Sequence, residues 1–204
     1  MGESRLVVIG AGGHAKVVVA TLLAGGRAVD SVFDDDPSRH GATLLGVPVH
    51  GDAGRLAEPG TEVIIAVGAN RLRAELSRRF AGVRWGTAVH PSAVIHETVI
   101  LGPGSVVLAG AVIQPDTAVG AHCIVNTAAG VDHDCRLADF VHIAPGVRLA
   151  GGVEIGEGAL VGLGSCVLPG ILVGPWAQVG AGAAVTRKVA RGTTVAGVPA
   201  RRLR

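Results

Sequence analysis

The chain has 204 residues, 32 of them glycine, with 49% hydrophobic, 17% charged and 2% aromatic residues and a formal net charge of +2. That apolar, weakly charged composition excludes a disordered chain. The small net charge and the scarcity of rings (Phe33, Phe80, Phe140, Trp85 and Trp176, with no tyrosine) argue against a nucleic-acid binder, which needs a basic field or base stacking.

The chain opens with RLVVI at 5–9, which reads as a buried strand; no cleavage-site pattern follows it, so no signal peptide is expected. GAGGHAKVVVATLLAGG then reads as a glycine turn entering an apolar helix. A second strand over Val29–Phe33 ends in Asp34-Asp35-Asp36, a short one is expected at Val47–His50, and Glu62–Val67 runs into Gly68-Ala69-Asn70 and a helix through Arg79. This is a Rossmann-like βαβ unit over 1–86. Gly10, Gly12 and Ala15 fit the dinucleotide pattern G-x-G-x-x-G/A, with Asp34 placed to meet a ribose. The chain changes character near Val89, which leaves no second mononucleotide half and argues against a nicotinamide-dependent dehydrogenase. What remains is a phosphate-friendly glycine turn with carboxylates at the ends of parallel strands, enough for one nucleotide or nucleotide-sugar.

From Val89 to Val185 every sixth residue is Val, Ile or Leu without a break, and four residues after each stands a small or β-branched residue. A six-residue period suits a solenoid of short strands, three to a coil, stacked at about 4.8 Å over just over five coils. Aliphatic stacking then replaces aromatics in the core, and Gly102, Gly120, Gly156, Gly162, Gly174 and Gly180 fall just after inward residues. The uncharged stretch 159–186 is long enough for a membrane helix, but its glycines and prolines and its period of six assign it to coils instead. Leu163, Leu168, Leu172 and Trp176 lie there at outward phases, which implies a covered outer face. Cys123, Cys135 and Cys166 form no CxxC pair and read as reduced core thiols of a soluble, cytoplasmic protein.

Among eight histidines, His133 lies between Asp132 and Asp134, either of which could orient an imidazole acting as general base. At eighteen residues per coil, Pro115, His133 and Gly151 share one column and Asp116, Asp134 and Gly152 the next. Gly151 and Gly152 therefore read as bare space above His133 through which a pantetheine arm could pass. His142 shares an outward column with Ile124 and Leu160, while His90, His96 and His122 read as surface or interface residues. Residues 190–204 form a tail that is basic, as are Arg187 and Lys188 before it; its bland reading is a solvated end and its sharper one an attraction for phosphates.

Residues 89–199 resemble the hexapeptide-repeat acyltransferases, which implies a left-handed parallel β-helix over 87–189, a homotrimer and active sites between subunits. GAGGH, the strand ending in Asp-Asp, GAN and NTAAGVDHDCRLADFVHIAPG together resemble the sialic-acid O-acetyltransferase and nucleotide-sugar N-acetyltransferase family. That resemblance implies that Gly10, Gly12, Gly13, His14, Asp34, Asp35, Gly68 and Asn70 face a nucleotide-sugar. It places the base at His133 and its orienting acid at Asp134, sets the Gly151 N–H against the thioester oxygen, and puts His142 against acetyl-CoA as donor. The expected reaction is acetyl transfer to the amine of a nucleotide-linked amino sugar, with a sugar hydroxyl as the alternative acceptor. The zinc carbonic anhydrases that this β-helix also resembles need three histidines at a spacing absent from this sequence and leave the N-terminal domain unexplained, so no metal is expected. A non-catalytic sugar-binding module would bind the nucleotide-sugar without binding acetyl-CoA.

Overall fold

The computed structural model describes residues 5–51, 56 and 60–203. Six strands make the first sheet: β1 (Arg5–Ile9), β2 (Ser31–Phe33), β3 (Thr43–Leu44), β4 (Val47–His50), β5 (Thr61–Ile65) and β6 (Arg84–Trp85). Their order is β3-β4-β2-β1-β5-β6, parallel except for the β3–β4 pair. Helix α1 (Gly13–Ala24) follows the glycine turn, and α2 (Asn70–Arg79) follows the turn after β5. β2 begins two residues later than expected because Asp30 serves the start of β1 instead. Its N–H donates to the Leu6 carbonyl, and its carboxylate accepts the Leu6 N–H at 2.6 Å.

From Ala88 onward a two-residue strand recurs every six residues through Ala184–Val185. The strands stack in three parallel ladders, each pairing a residue with the one eighteen further on, as in Val107↔Val125 and Val125↔Ile143. One ladder, here face I, carries Ala88, Val106, Ile124, His142, Leu160 and Gln178 at its outward positions. Face II carries Val94, Val112, Gly130, Arg148, Cys166 and Ala184, and face III carries Ile100, Ala118, Arg136, Glu154 and Leu172. The inward column from Val107 to Val185 is buried throughout, as the period of six requires. Val89, Ile95 and Leu101 are only partly covered, because no earlier coil stacks beneath them. At the other end Val189 bridges Val173 only four residues after Val185, which ends the period, and Thr194–Ala196 closes face I with Arg201–Arg202 antiparallel to it.

Glycine has two separate uses in the coils. A Cβ on Gly102 would lie 2.4 Å from the backbone of Gly120 in the next coil, so close stacking demands its absence. At the corners from Gly104 to Gly182, the third residue after each inward aliphatic adopts positive φ, and glycine fills eight of these fourteen sites. Asp134 (φ 59°), Phe140 (φ 60°) and Trp176 (φ 57°) take the same left-handed conformation.

The first sheet and the solenoid share a core. Ala88, Val106, Leu108 and Ile124 of the solenoid are buried in one cluster with Val18 and Leu22 of α1. Face I is therefore covered by the N-terminal layer over its early coils. No helix among the described residues is long and apolar enough to cross a membrane, and 159–186 forms coils. Cys123 and Cys135 are core thiols, but Cys166, expected inside, is exposed because its phase in the repeat is outward.

Candidate active site

His133 and Asp134 occupy a corner turn between faces II and III. Both side chains project outward because Leu137 and Val131, flanking the turn, take the inward positions. The left-handed backbone at Asp134 folds its carboxylate back onto the ring: Oδ2 lies 2.7 Å from His133 Nδ1. Asp132 instead accepts the His133 backbone N–H at 2.9 Å. Of the two flanking aspartates, Asp134 is thus the imidazole's partner. This hydrogen bond raises the His133 pKa above the ordinary histidine value, with smaller contributions from the charges of Asp132 and Asp134. Nδ1 is occupied, so Nε2 is the nitrogen left to exchange a proton.

The reading of Gly151 as open space is corrected by the position of the imidazole. A Cβ on Gly151 would lie 2.5 Å from His133 Cε1 and 2.6 Å from Nε2, so the glycine is bare because the ring lies across it. Around Gly152 the nearest neighbour to such a Cβ is Gly170 at 4.0 Å, and space there does remain. Beside the turn, a cavity of about 280 Å³ is lined by Gln114, Gly130, Asp132 and Arg148 on face II.

The second group of expected site residues gathers at the ends of β1, β2 and β5. Asp34 accepts the Ala11 N–H at 2.6 Å and an Arg39 N–H at 3.1 Å, so its carboxylate holds the glycine turn. Asp35 is exposed and paired with Arg79 at the end of α2. Gly10 is strained against substitution by both its φ of 103° and a Cβ site 2.9 Å from Val67, whereas Gly13 opens to free space. His14, at the start of α1, points its ring towards His142 on face I, with centroids 6.3 Å apart. Asn70 turns its amide away from the strand ends and donates to the Gly158 and Ala159 carbonyls at 3.0 and 3.1 Å.

Three histidines at this junction are driven towards the neutral form. Burial, then the nearby Arg73 cation, lowers His14, His122 and His142 to about 4. His142 Nε2 lies 3.1 Å from the Asn126 amide nitrogen. His122 is not a surface residue: it is 5% exposed, stacked on Phe140 and edge-on to Trp85. Its corner lies under the N-terminal layer, a contact between distant segments that the repeat alone does not reveal. Arg73, which sequence reasoning passed over, is the largest fully buried side chain among the described residues, and nothing in NRLRAELSRR separates it from the three other arginines there.

A groove of about 290 Å³ runs between the start of α2 and the rim of face I, lined by Gly68, Asn70, Arg71, Leu160, Trp176 and Gln178. At the solenoid's far end a cavity of about 260 Å³ gathers Arg187, Lys188, Arg201 and Arg202; Arg204 lies outside the described residues. The corner bearing His133 faces away from face I, the side that carries His142 and the N-terminal layer. One chain therefore separates the two groups of expected site residues.

The family model of the PglD N-terminal domain matches residues 5–80. GDP-perosamine N-acetyltransferase of Escherichia coli O157:H7 is 31% identical over 84 residues, and the match spans only 38% of that curated relative's length. Among solved structures, a histidine-to-asparagine mutant of perosamine N-acetyltransferase from Caulobacter crescentus, in complex with CoA and GDP-perosamine, is 42% identical with a TM-score of 0.94, covering 100% of this chain and 98% of that one. The acetyltransferase domain of PglB from Neisseria gonorrhoeae FA1090, in complex with acetyl coenzyme A, is 40% identical with a TM-score of 0.92, covering 99% and 100%. Sequence and fold agree along the whole length of these chains, through both the glycine-turn layer and the solenoid, and the protein belongs to the hexapeptide-repeat nucleotide-sugar N-acetyltransferase family.

Proposed function

We propose that the protein transfers the acetyl group of acetyl-CoA to the amine of a nucleotide-linked amino sugar, with His133 as general base. The observation that carries this reading is the 2.7 Å contact of His133 Nδ1 with Asp134 Oδ2, on an exposed corner with Nε2 turned from its partner. His133 Nε2 takes the proton from the attacking amine as the nitrogen–acetyl carbon bond forms, and Asp134 stabilises the resulting imidazolium. The carbon–sulfur bond then breaks, and the thiolate leaves and takes up a proton. The Gly151 N–H, which donates to no protein acceptor among the described residues, is available to the oxyanion.

Residues 1–86 are read as the acceptor-binding part, through Gly10, Gly12, Gly13, His14, Asp34, Asp35 and Gly68. Residues 87–189 form the transfer part, with His142, Gly151 and Gly152 on the donor. Arg187, Lys188 and the 190–204 tail suit the donor's phosphates by charge. His133 and His142 lie on opposite sides of one prism, which supports a homotrimer whose sites combine two copies. Unpaired cysteines fit a cytoplasmic setting.

The test is thiol release from acetyl-CoA against a panel of nucleotide-linked amino sugars, free amino sugars and free sialic acid. Release with a nucleotide-linked amine is expected. Release only with a sugar hydroxyl, or binding of the nucleotide-sugar without binding of acetyl-CoA, overturns the proposal. For the composite site, mixed assemblies of His133→Ala and His142→Ala chains should regain part of the activity that each lacks alone, and failure to regain any argues for sites within one chain.

A further inference from the structure

Arg73 enters α2 in its first turn, where the positive end of the helix dipole disfavours a cation. Its side chain is 1% exposed, and no carboxylate pairs with it among the described residues. Burial lowers its pKa to about 10, which still leaves it charged at neutral pH. A buried cation under these conditions survives only where its hydrogen bonds are satisfied. All five are made. Nε donates to the His122 carbonyl at 2.7 Å, Nη1 to those of Val67 and Gly68 at 3.0 and 3.2 Å, and Nη2 to the Phe140 carbonyl at 2.8 Å and to Asn70 Oδ1 at 2.9 Å.

These acceptors fall into two sets. Val67, Gly68 and Asn70 form the turn after β5. His122 and Phe140 are corner residues of successive coils, and Asn70, itself held by Arg73, continues the same corner by donating to Gly158. His122, Phe140 and Gly158 are spaced by eighteen residues, so the pair grips three stacked carbonyls along the solenoid axis. The backbone of Gly68 also acts on His142, raising its pKa against the larger lowering by burial. We infer that Arg73 is a positioning residue that sets the Val67–Asn70 turn against the solenoid corner, and so fixes where an acceptor held by that turn stands relative to His142. The inference that this turn holds the acceptor rests on the proposed function; the docking role does not.

Lysine keeps the charge but has one nitrogen for acceptors that Arg73 reaches with three, whereas glutamine removes the charge. Arg73→Gln in the full chain is expected to raise the acceptor KM by about tenfold, the size of one charged hydrogen bond, with the acetyl-CoA KM changed by less than about twofold. Arg73→Lys should recover part of that loss. An unchanged acceptor KM in folded Arg73→Lys or Arg73→Gln protein, with only the yield or melting temperature lowered, overturns the positioning role. If the glutamine variant does not fold, the lysine variant carries the test, and its acceptor KM should rise between twofold and about tenfold on the same grounds. Amide hydrogen exchange separates this inference from the enzymatic reading. Residues 67–70 should exchange about tenfold faster in the variant while β1 stays protected, whether or not acetyl transfer is found; unchanged exchange there overturns the docking role.

Discussion

His133 and the histidines of the junction are the same residue type in opposite settings. His133 stands on an exposed corner beside a carboxylate, and that hydrogen bond favours its protonated form. His14, His122 and His142 stand in a buried seam beside a guanidinium, and the loss of solvent holds them neutral. The contrast shows how one fold provides both a proton acceptor and uncharged contacts: the corner turn leaves a side chain in water with its neighbour's charge, and the seam takes side chains out of water against a cation. Only the first arrangement suits a group that must gain and release a proton near neutral pH.

The comparison breaks most visibly at His133. His133→Ala is expected to lower kcat by about 10²–10⁴-fold with donor binding retained, measured by thiol release and by acetyl-CoA titration; near-normal turnover would remove the base from this corner. Gly151→Ala is next, because its new methyl would enter the space of the imidazole. A drop in kcat of up to about 10²-fold is expected from displacement of the ring, without loss of the fold, since Gly151 is not among the residues of positive φ. Wild-type kinetics in this variant would show that the ring position is not the productive one.

Asp134→Asn tests the charge rather than the position. The raised pKa of His133 means that activity falls as pH drops through it, and removing the carboxylate should carry this acid limb to lower pH while reducing the maximum. An acid limb that stays in place assigns it to another group. The smallest effect is on stability and belongs to the junction. Its histidines have folded values of about 4 against 6.5 when unfolded, so the unfolded chain binds more protons between those limits. Their contribution is fully present above pH 6.5 and is lost as pH falls towards 4, at no more than about 1.4 kcal/mol per pH unit for each histidine. His122→Phe should flatten that acid dependence in thermal melts. An unchanged slope would mean that His122 titrates normally.

Local patterns carried much of this protein. A period of six with an unbroken aliphatic column specifies coils because each strand has one inward side chain, and α2 ends at Arg79, where its sequence suggested. The pairing of His133 with a neighbouring aspartate was also legible, because both lie in one turn. The choice between Asp132 and Asp134 came from the family resemblance alone, since in the residues themselves it depends on a left-handed φ at residue 134.

Three features were settled only by contacts between distant segments. Gly151 is bare because a side chain from the previous coil rests on it, so its meaning is the reverse of open space. His122 is buried by the docking of the N-terminal layer, and Arg73 stands out from the other arginines of α2 only when its five acceptors are seen together. The sequence by itself determined the repeat, the glycine turn and the acid–histidine corner, because each arises from neighbours in the chain or from strict periodicity. The tertiary structure alone decided which face the N-terminal layer covers and which polar groups lose their water, because burial is a property of what packs against a residue.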